Sequence, residues 1–217
     1  MKKNDPVLLG LVVLGIINLI ITGIIFPAMP EIIPTHWGIT GEIDAWSPKY
    51  WVFLFAGLPL LMSLLSIFIP KIDPKKENYE KHWSTYRLII TLIIIFLILL
   101  HWIMVSTALG IWMADVAALV PGGIGVLFLI MGNYLPRIRH NYTIGIRLPW
   151  TLTNEIVWKK IHRLGGGLMM ILGLTLLGSV FFPPYIRFTV LIVGLVAFLG
   201  GTSVYSYYIF KKVVTKN

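Results

Sequence analysis

Apolar positions along this chain fall in long runs rather than in alternation. Six runs, about Val7–Phe26, Trp51–Ile69, Leu88–Leu109, Val116–Leu135, Gly165–Phe182 and Phe188–Phe210, contain no Lys, Arg, Asp or Glu. A bilayer core of about 30 Å takes roughly 20 apolar residues in a helix, so each run is long enough to cross. The pattern predicts an all-α integral membrane protein, a bundle of six transmembrane helices. The chain divides into an N-terminal membrane region, residues 1–110, with three spans and a long loop at 27–50, and a second three-span region, 111–217, with a loop at 132–165. The first run is too long for a signal-peptide core and ends at Pro27 without a cleavage pattern, so it reads as a retained helix. Pro121-Gly122-Gly123 makes the fourth span either kinked or broken, and both fit a bundle whose neighbours satisfy the freed backbone groups. The glycines of the last two spans predict close helix approach, and Pro183-Pro184 a rigid turn between antiparallel neighbours.

Composition agrees: 57% hydrophobic and 12% charged residues, with a mean hydropathy of +0.85, exclude a soluble fold. The formal charge of +9 would suggest nucleic acid in a soluble protein. Here it is distributed by topology. Counted through alternating loops, 16 of the 18 Lys and Arg lie on the side of both termini, and only Lys49 and Arg187 on the other. Excess positive charge marks the cytoplasmic side, so both termini are expected inside, with lipid headgroups rather than nucleic acid as the basic residues' partner. The absence of cysteine removes disulfides, thiolate metal sites and thiol nucleophiles.

Two loops exceed what a connector needs. The outer one, Pro27–Tyr50, has prolines at 27, 30 and 34, which oppose a helix at its start. Trp37, Trp46, Tyr50 and Trp51 suit a membrane–water boundary, so the loop is expected to fold back onto the membrane surface. Glu31, His36, Glu42 and Asp44 match no short metal motif, and no metal is expected. The plainer reading has Asp44 and Thr40 bonding loop amides and His36 packing beside Trp37. Pro34, His36, Trp37, Gly41 and Asp44 are its candidate binding residues. In the inner loop, Pro149 sets a turn and Thr151 or Thr153 caps a short amphipathic helix to about Arg163, lying in the interface. Asn154, Trp158 and His162 share one face of it, beside a stripe of Val157, Ile161 and Leu164. Alternatively, Arg147 and Arg163 reach back toward Gly132-Asn133 to build a polar pocket.

The string from Gly132 to Gly166 resembles the signature of the SdpI family of bacterial immunity proteins, which reads G-N, then N-x-x-I-G-[IL]-R-x-P-W-T-L, then V-W-x-x-x-x-R. Asn133, Asn141, Gly145, Arg147, Pro149, Trp150, Thr151, Leu152, Trp158 and Arg163 match it. The string from Pro30 to Asp44, P-x-x-I-P-T-H-W-G-x-x-G-E-I-D, resembles a membrane domain of unknown function that precedes the signature in that family. The resemblance implies a multi-span protein of the bacterial plasma membrane that protects against a secreted peptide toxin. It also implies a sensor role in which a cytoplasmic repressor is held at the membrane. No cofactor and no catalysis are implied. Against an enzyme, His36, His101, Asp115 and His162 are dispersed and no catalytic motif appears. A transporter would draw on His101 and Asp115, two ionisable groups at or near membrane depth, which define no pathway.

Overall fold

The computed structural model describes residues 5–215. Lys2, Lys3 and Lys216, which contribute to the charge asymmetry, lie outside the described residues. The helices are α1 (Pro6–Ile25), α2 (Trp51–Ile72), α3 (Trp83–Ala108), α4 (Val116–Tyr134), α5 (Pro149–Thr153), α6 (Glu155–Ser179) and α7 (Pro184–Val214). All but α5 are long and apolar enough to cross a membrane, which makes six spans among the described residues. The chain forms two compact units, Met1–Phe68 with Arg87–Val120, and Ile69–Tyr86 with Pro121–Asn217.

In the first unit, Asp5 caps α1, accepting from the Val7 and Leu8 amides at 3.0 and 3.3 Å, and also takes Arg87 Nη1 at 3.2 Å. The buried positions of α1 are Leu8, Leu11, Gly15, Asn18 and Thr22, alternating steps of three and four. That spacing puts them on one stripe. A Cβ on Gly15 would stand 2.8 Å from Leu60 Cα, so glycine lets the α1 and α2 backbones meet. Below them Asn18 donates to the Ala56 carbonyl at 3.1 Å and accepts from Trp102 Nε1 at 2.9 Å. In lipid such side chains bond across helices because no water competes.

The loop after α1 is not a purely irregular segment. It contains an antiparallel hairpin of β1 (Ile32–Trp37) and β2 (Ile43–Pro48), with a break in register around Thr35. Ile33 sits in an apolar cluster with Met29, Val52, Met104 and Val105. The turn closes through Gly38 N–H to Glu42 O at 2.8 Å, and Gly41 adopts φ +90°, a conformation open to glycine.

In the second unit, α4 is one unbroken helix through Pro121, which decides between the two readings of that span. Its glycines meet α6 backbone to backbone. A Cβ on Gly132 would lie 2.7 Å from Gly166 O, and one on Gly125 2.9 Å from Gly173 O. Close approach does not explain every glycine, since Gly167, Gly178 and Gly200 have open space where a Cβ would stand. Pro184 opens α7 at its first turn, and α7 packs against α6 as the Pro-Pro turn implies. The amphipathic helix expected to run separately to Arg163 is instead the first turns of α6, which continues through Gly165-Gly166-Gly167 into the fifth span. Tertiary packing carries the helix across the three glycines, which local propensity disfavours.

Candidate functional site

The signature residues lie within the second unit, between the end of α4 and the first turns of α6. After a short 3-10 turn at Leu135–Arg137 the chain runs to Leu148 without regular structure, and its backbone groups are satisfied by buried side chains. Asn141, fully buried, accepts from the Thr143 and Ile144 amides at 2.8 Å each and donates to Arg139 O at 2.8 Å. This is an Asx turn using both ends of the amide. Gly145 has φ +111°, and a Cβ there would lie 2.2 Å from His162 Nε2, so the site admits only glycine. The next amide, Ile146 N–H, donates to that Nε2 at 3.1 Å. The proton of His162 is thereby placed on Nδ1, which donates to Trp158 O at 2.9 Å.

Trp158 and His162 stack at 3.9 Å between ring centroids, and Trp158 Nε1 donates to Ile138 O at 2.9 Å. Pro149 opens α5. Thr151 Oγ1 accepts from Leu148 N–H at 2.8 Å and lies 2.9 Å from the Ile146 carbonyl. Asn154, rather than Thr151 or Thr153, caps α6, accepting from the Ile156 and Val157 amides. Trp150 Nε1 donates to Ser206 Oγ and ties α5 to α7. Asn141, Thr151 and Trp158 are thus interior staples. Arg147 is exposed and, among the described residues, donates one hydrogen bond, to Tyr142 O at 3.2 Å. Asn133 and Arg163 are also exposed, and among the described residues no hydrogen bond or ion pair joins them to Arg147.

Sequence reasoning missed the residues that close the loop from the other side. Asp73, buried, accepts from Thr143 Oγ1 at 2.7 Å, the Tyr142 amide at 2.9 Å, the Lys75 amide at 2.8 Å and Tyr79 OH at 3.2 Å. Burial pushes its carboxyl up, but the donors from Thr143, Lys75, Tyr142 and Tyr79 together outweigh it and hold it below the ordinary carboxylate range. Lys75 Nζ donates to His140 Nδ1 at 2.7 Å, so the ring's proton sits on Nε2 and goes to Leu152 O at 2.9 Å. Burial first, and the Lys75 charge second, lower the affinity of His140 for a further proton. Asn78 donates to His140 O at 2.8 Å, and the Arg139 amide to His82 Nδ1 at 3.3 Å. The available signal was Asp73 itself, a lone acid between Lys71 and Lys75 at the end of an apolar run.

The outer-loop candidates lie in the first unit. Pro34 is buried in β1, Trp37 packs on the Met29–Ile33 cluster, and Gly41 stands at the turn, where a Cβ would be 3.2 Å from Ala117 Cβ. His36 Nδ1 pairs with Asp44 Oδ1 at 2.6 Å, and Thr40 with the Glu42 carboxylate, in place of the expected loop-amide bonds. Glu31 pairs with Lys49 at 2.9 Å. The carboxylates are therefore engaged by separate partners. His101 Nε2 meets Thr22 Oγ1 at 3.0 Å, and Asp115 caps α4 through the Ala118 amide at 3.0 Å.

Six helices long and apolar enough to cross a membrane, with a hydrogen-bonded knot of residues between α4 and α6, define a multi-pass membrane protein. Residues 137–206 match the SdpI/YfhL protein family, and residues 13–62 match a domain of unknown function, DUF1648. The chain is similar to the Immunity protein SdpI of Bacillus subtilis (strain 168), with 24% identity over 212 residues, covering 98% of each chain. The signature residues from Asn141 to Arg163 lie inside the SdpI/YfhL match. No solved structure matches it.

Proposed function

We propose that this protein is an immunity protein of the bacterial plasma membrane, with both termini cytoplasmic, that protects its host from a secreted peptide toxin without cleaving it. The observation that carries this reading is the signature loop. Asn141, Gly145, Thr151 and Trp158 each have a specific structural task in it, and the full-length relative is an immunity protein. On this reading the hairpin loop and the signature loop, three candidate spans apart in sequence, serve opposite membrane faces, one available to a toxin and the other to a cytoplasmic repressor. Arg139, Tyr142 and Arg147 are among the exposed side chains on the inner loop that such a repressor would meet. Transport is the weaker reading, since His101 and Asp115 are spent on Thr22 and on the α4 cap.

Deletion in the native host should sensitise cells to the peptides secreted by the parent strain, and re-expression should restore survival while those peptides stay intact by mass spectrometry. Peptide cleavage that depends on this protein would move it to the peptidases. Unchanged survival in the deletion strain would remove the immunity reading.

A further inference from the structure

We infer that the outward face of the β1–β2 hairpin is a docking surface for a cationic amphipathic peptide. The inference rests on the immunity reading and names the partner's chemistry and the place it binds.

A two-stranded sheet has two faces, and here one is spent on the fold. Ile33 lies in the cluster with Met29, Val52, Met104 and Val105, and Thr35 bonds Ser47 at 2.9 Å. The other face is open except at Pro34, which is buried opposite Trp46. Ile32 is 57% and Trp46 54% exposed, and the His36–Asp44 pair stands beside them in the open. Single exposed apolar residues need no explanation, but a tryptophan and an isoleucine next to carboxylates on one narrow ribbon form an amphipathic surface. Each strand also has a sheet neighbour on one edge only, which leaves main-chain groups that an extended peptide can pair with.

Charge selects the occupant. Lys49 is the one cation of the loop, and Glu31 and the Phe26 ring already hold it. The carboxylates of Glu42 and Asp44 lean on a threonine hydroxyl and an imidazole. Asp115 adds charge of the same sign two residues before Ala117, which the Gly41 turn touches. Such a surface repels anionic lipid headgroups and attracts a positively charged peptide, while Trp46 and Ile32 supply its apolar contact. Trp46, the large aromatic of the face, is the expected anchor.

The test uses the full chain in phosphatidylcholine nanodiscs. The probes are a synthetic amphipathic Leu/Lys peptide and its Leu/Glu counterpart, with binding to empty nanodiscs subtracted. The Leu/Lys peptide should bind, the Leu/Glu peptide should not, and Glu42→Gln with Asp44→Asn, or Trp46→Ala, should each weaken binding by about tenfold at unchanged thermal stability. Because the chain has no cysteine, Ile32→Cys provides a second readout that keeps the Trp46 anchor: its reaction with an impermeant maleimide should slow when the Leu/Lys peptide is present. Equal binding of both peptides, variants that bind as wild type, or quenching of a label at position 32 by brominated lipid would each overturn the proposal. Host cells carrying Glu42→Gln and Asp44→Asn separate the two readings. Full resistance in them sinks the docking surface and leaves immunity standing, whereas peptide binding by a wild-type protein that confers no resistance does the reverse.

Discussion

The Ile146 amide donates to Nε2 of His162 across sixteen residues of chain, at 3.1 Å, and Gly145 is the residue that lets the backbone come so near. A neutral imidazole thus serves as the acceptor for a loop amide, and its own proton is fixed on Trp158 O.

Gly145→Ala should therefore prevent accumulation of folded protein, because φ +111° and the approach of His162 both exclude a Cβ. His162→Ala opens a void beside Trp158 and orphans the Ile146 amide, a loss of about 2–4 kcal/mol. Thermal unfolding in detergent measures it. A His162→Ala protein as stable as wild type would show that the bond holds nothing.

Asp73→Asn should also destabilise, since its one amide oxygen can serve either the Thr143, Tyr142 and Tyr79 donors or the Lys75 amide, and its NH2 then faces a donor on the other side. Loss of hydrogen bonds to a buried charged group costs about 1.5–3 kcal/mol each. The folded carboxyl is held below its ordinary value of 3.8, so its contribution is complete above about pH 4 and is lost as pH falls through the lower folded value. Unfolding midpoints followed down to pH 3 should fall more steeply in wild type than in Asp73→Asn. Parallel curves would exclude the charged interaction.

His140 has the opposite charge type and the same direction of shift. Its folded value lies below 6.5, so the neutral ring contributes fully above about pH 6.5 and that contribution falls away as the solution is acidified toward the lower folded value. Protonation would set Nδ1–H against the Lys75 ammonium. His140→Gln should flatten stability between pH 7 and pH 5, and an unaltered slope would rule out His140 as the titrating group.

Arg147 is exposed with a single carbonyl partner, so Arg147→Lys should leave the amount and stability of folded protein within about 0.5 kcal/mol of wild type. A repressor-dependent transcriptional response should be lost in the same strain. Loss of folded protein would give Arg147 a structural role.

Thr40 and Lys160 are both exposed, which makes them clean reporters of orientation. Thr40→Cys should react with an impermeant thiol reagent in intact cells, and Lys160→Cys only after permeabilisation. The opposite pattern would invert the topology.

Sequence alone determined the spans, because lipid is a solvent that demands about twenty apolar residues per crossing and tolerates few charges. It also disclosed the signature, whose Gly145, Pro149 and Asn141 carry local backbone requirements. Tertiary structure decided what those requirements serve. That β1 and β2 pair, that Asn154 rather than Thr151 caps α6, and that Asp73 gathers Tyr142 and Thr143 from about seventy residues away depend on groups distant in sequence. Buried donors and acceptors are satisfied wherever the fold brings a partner, and no periodicity along the chain records such a meeting.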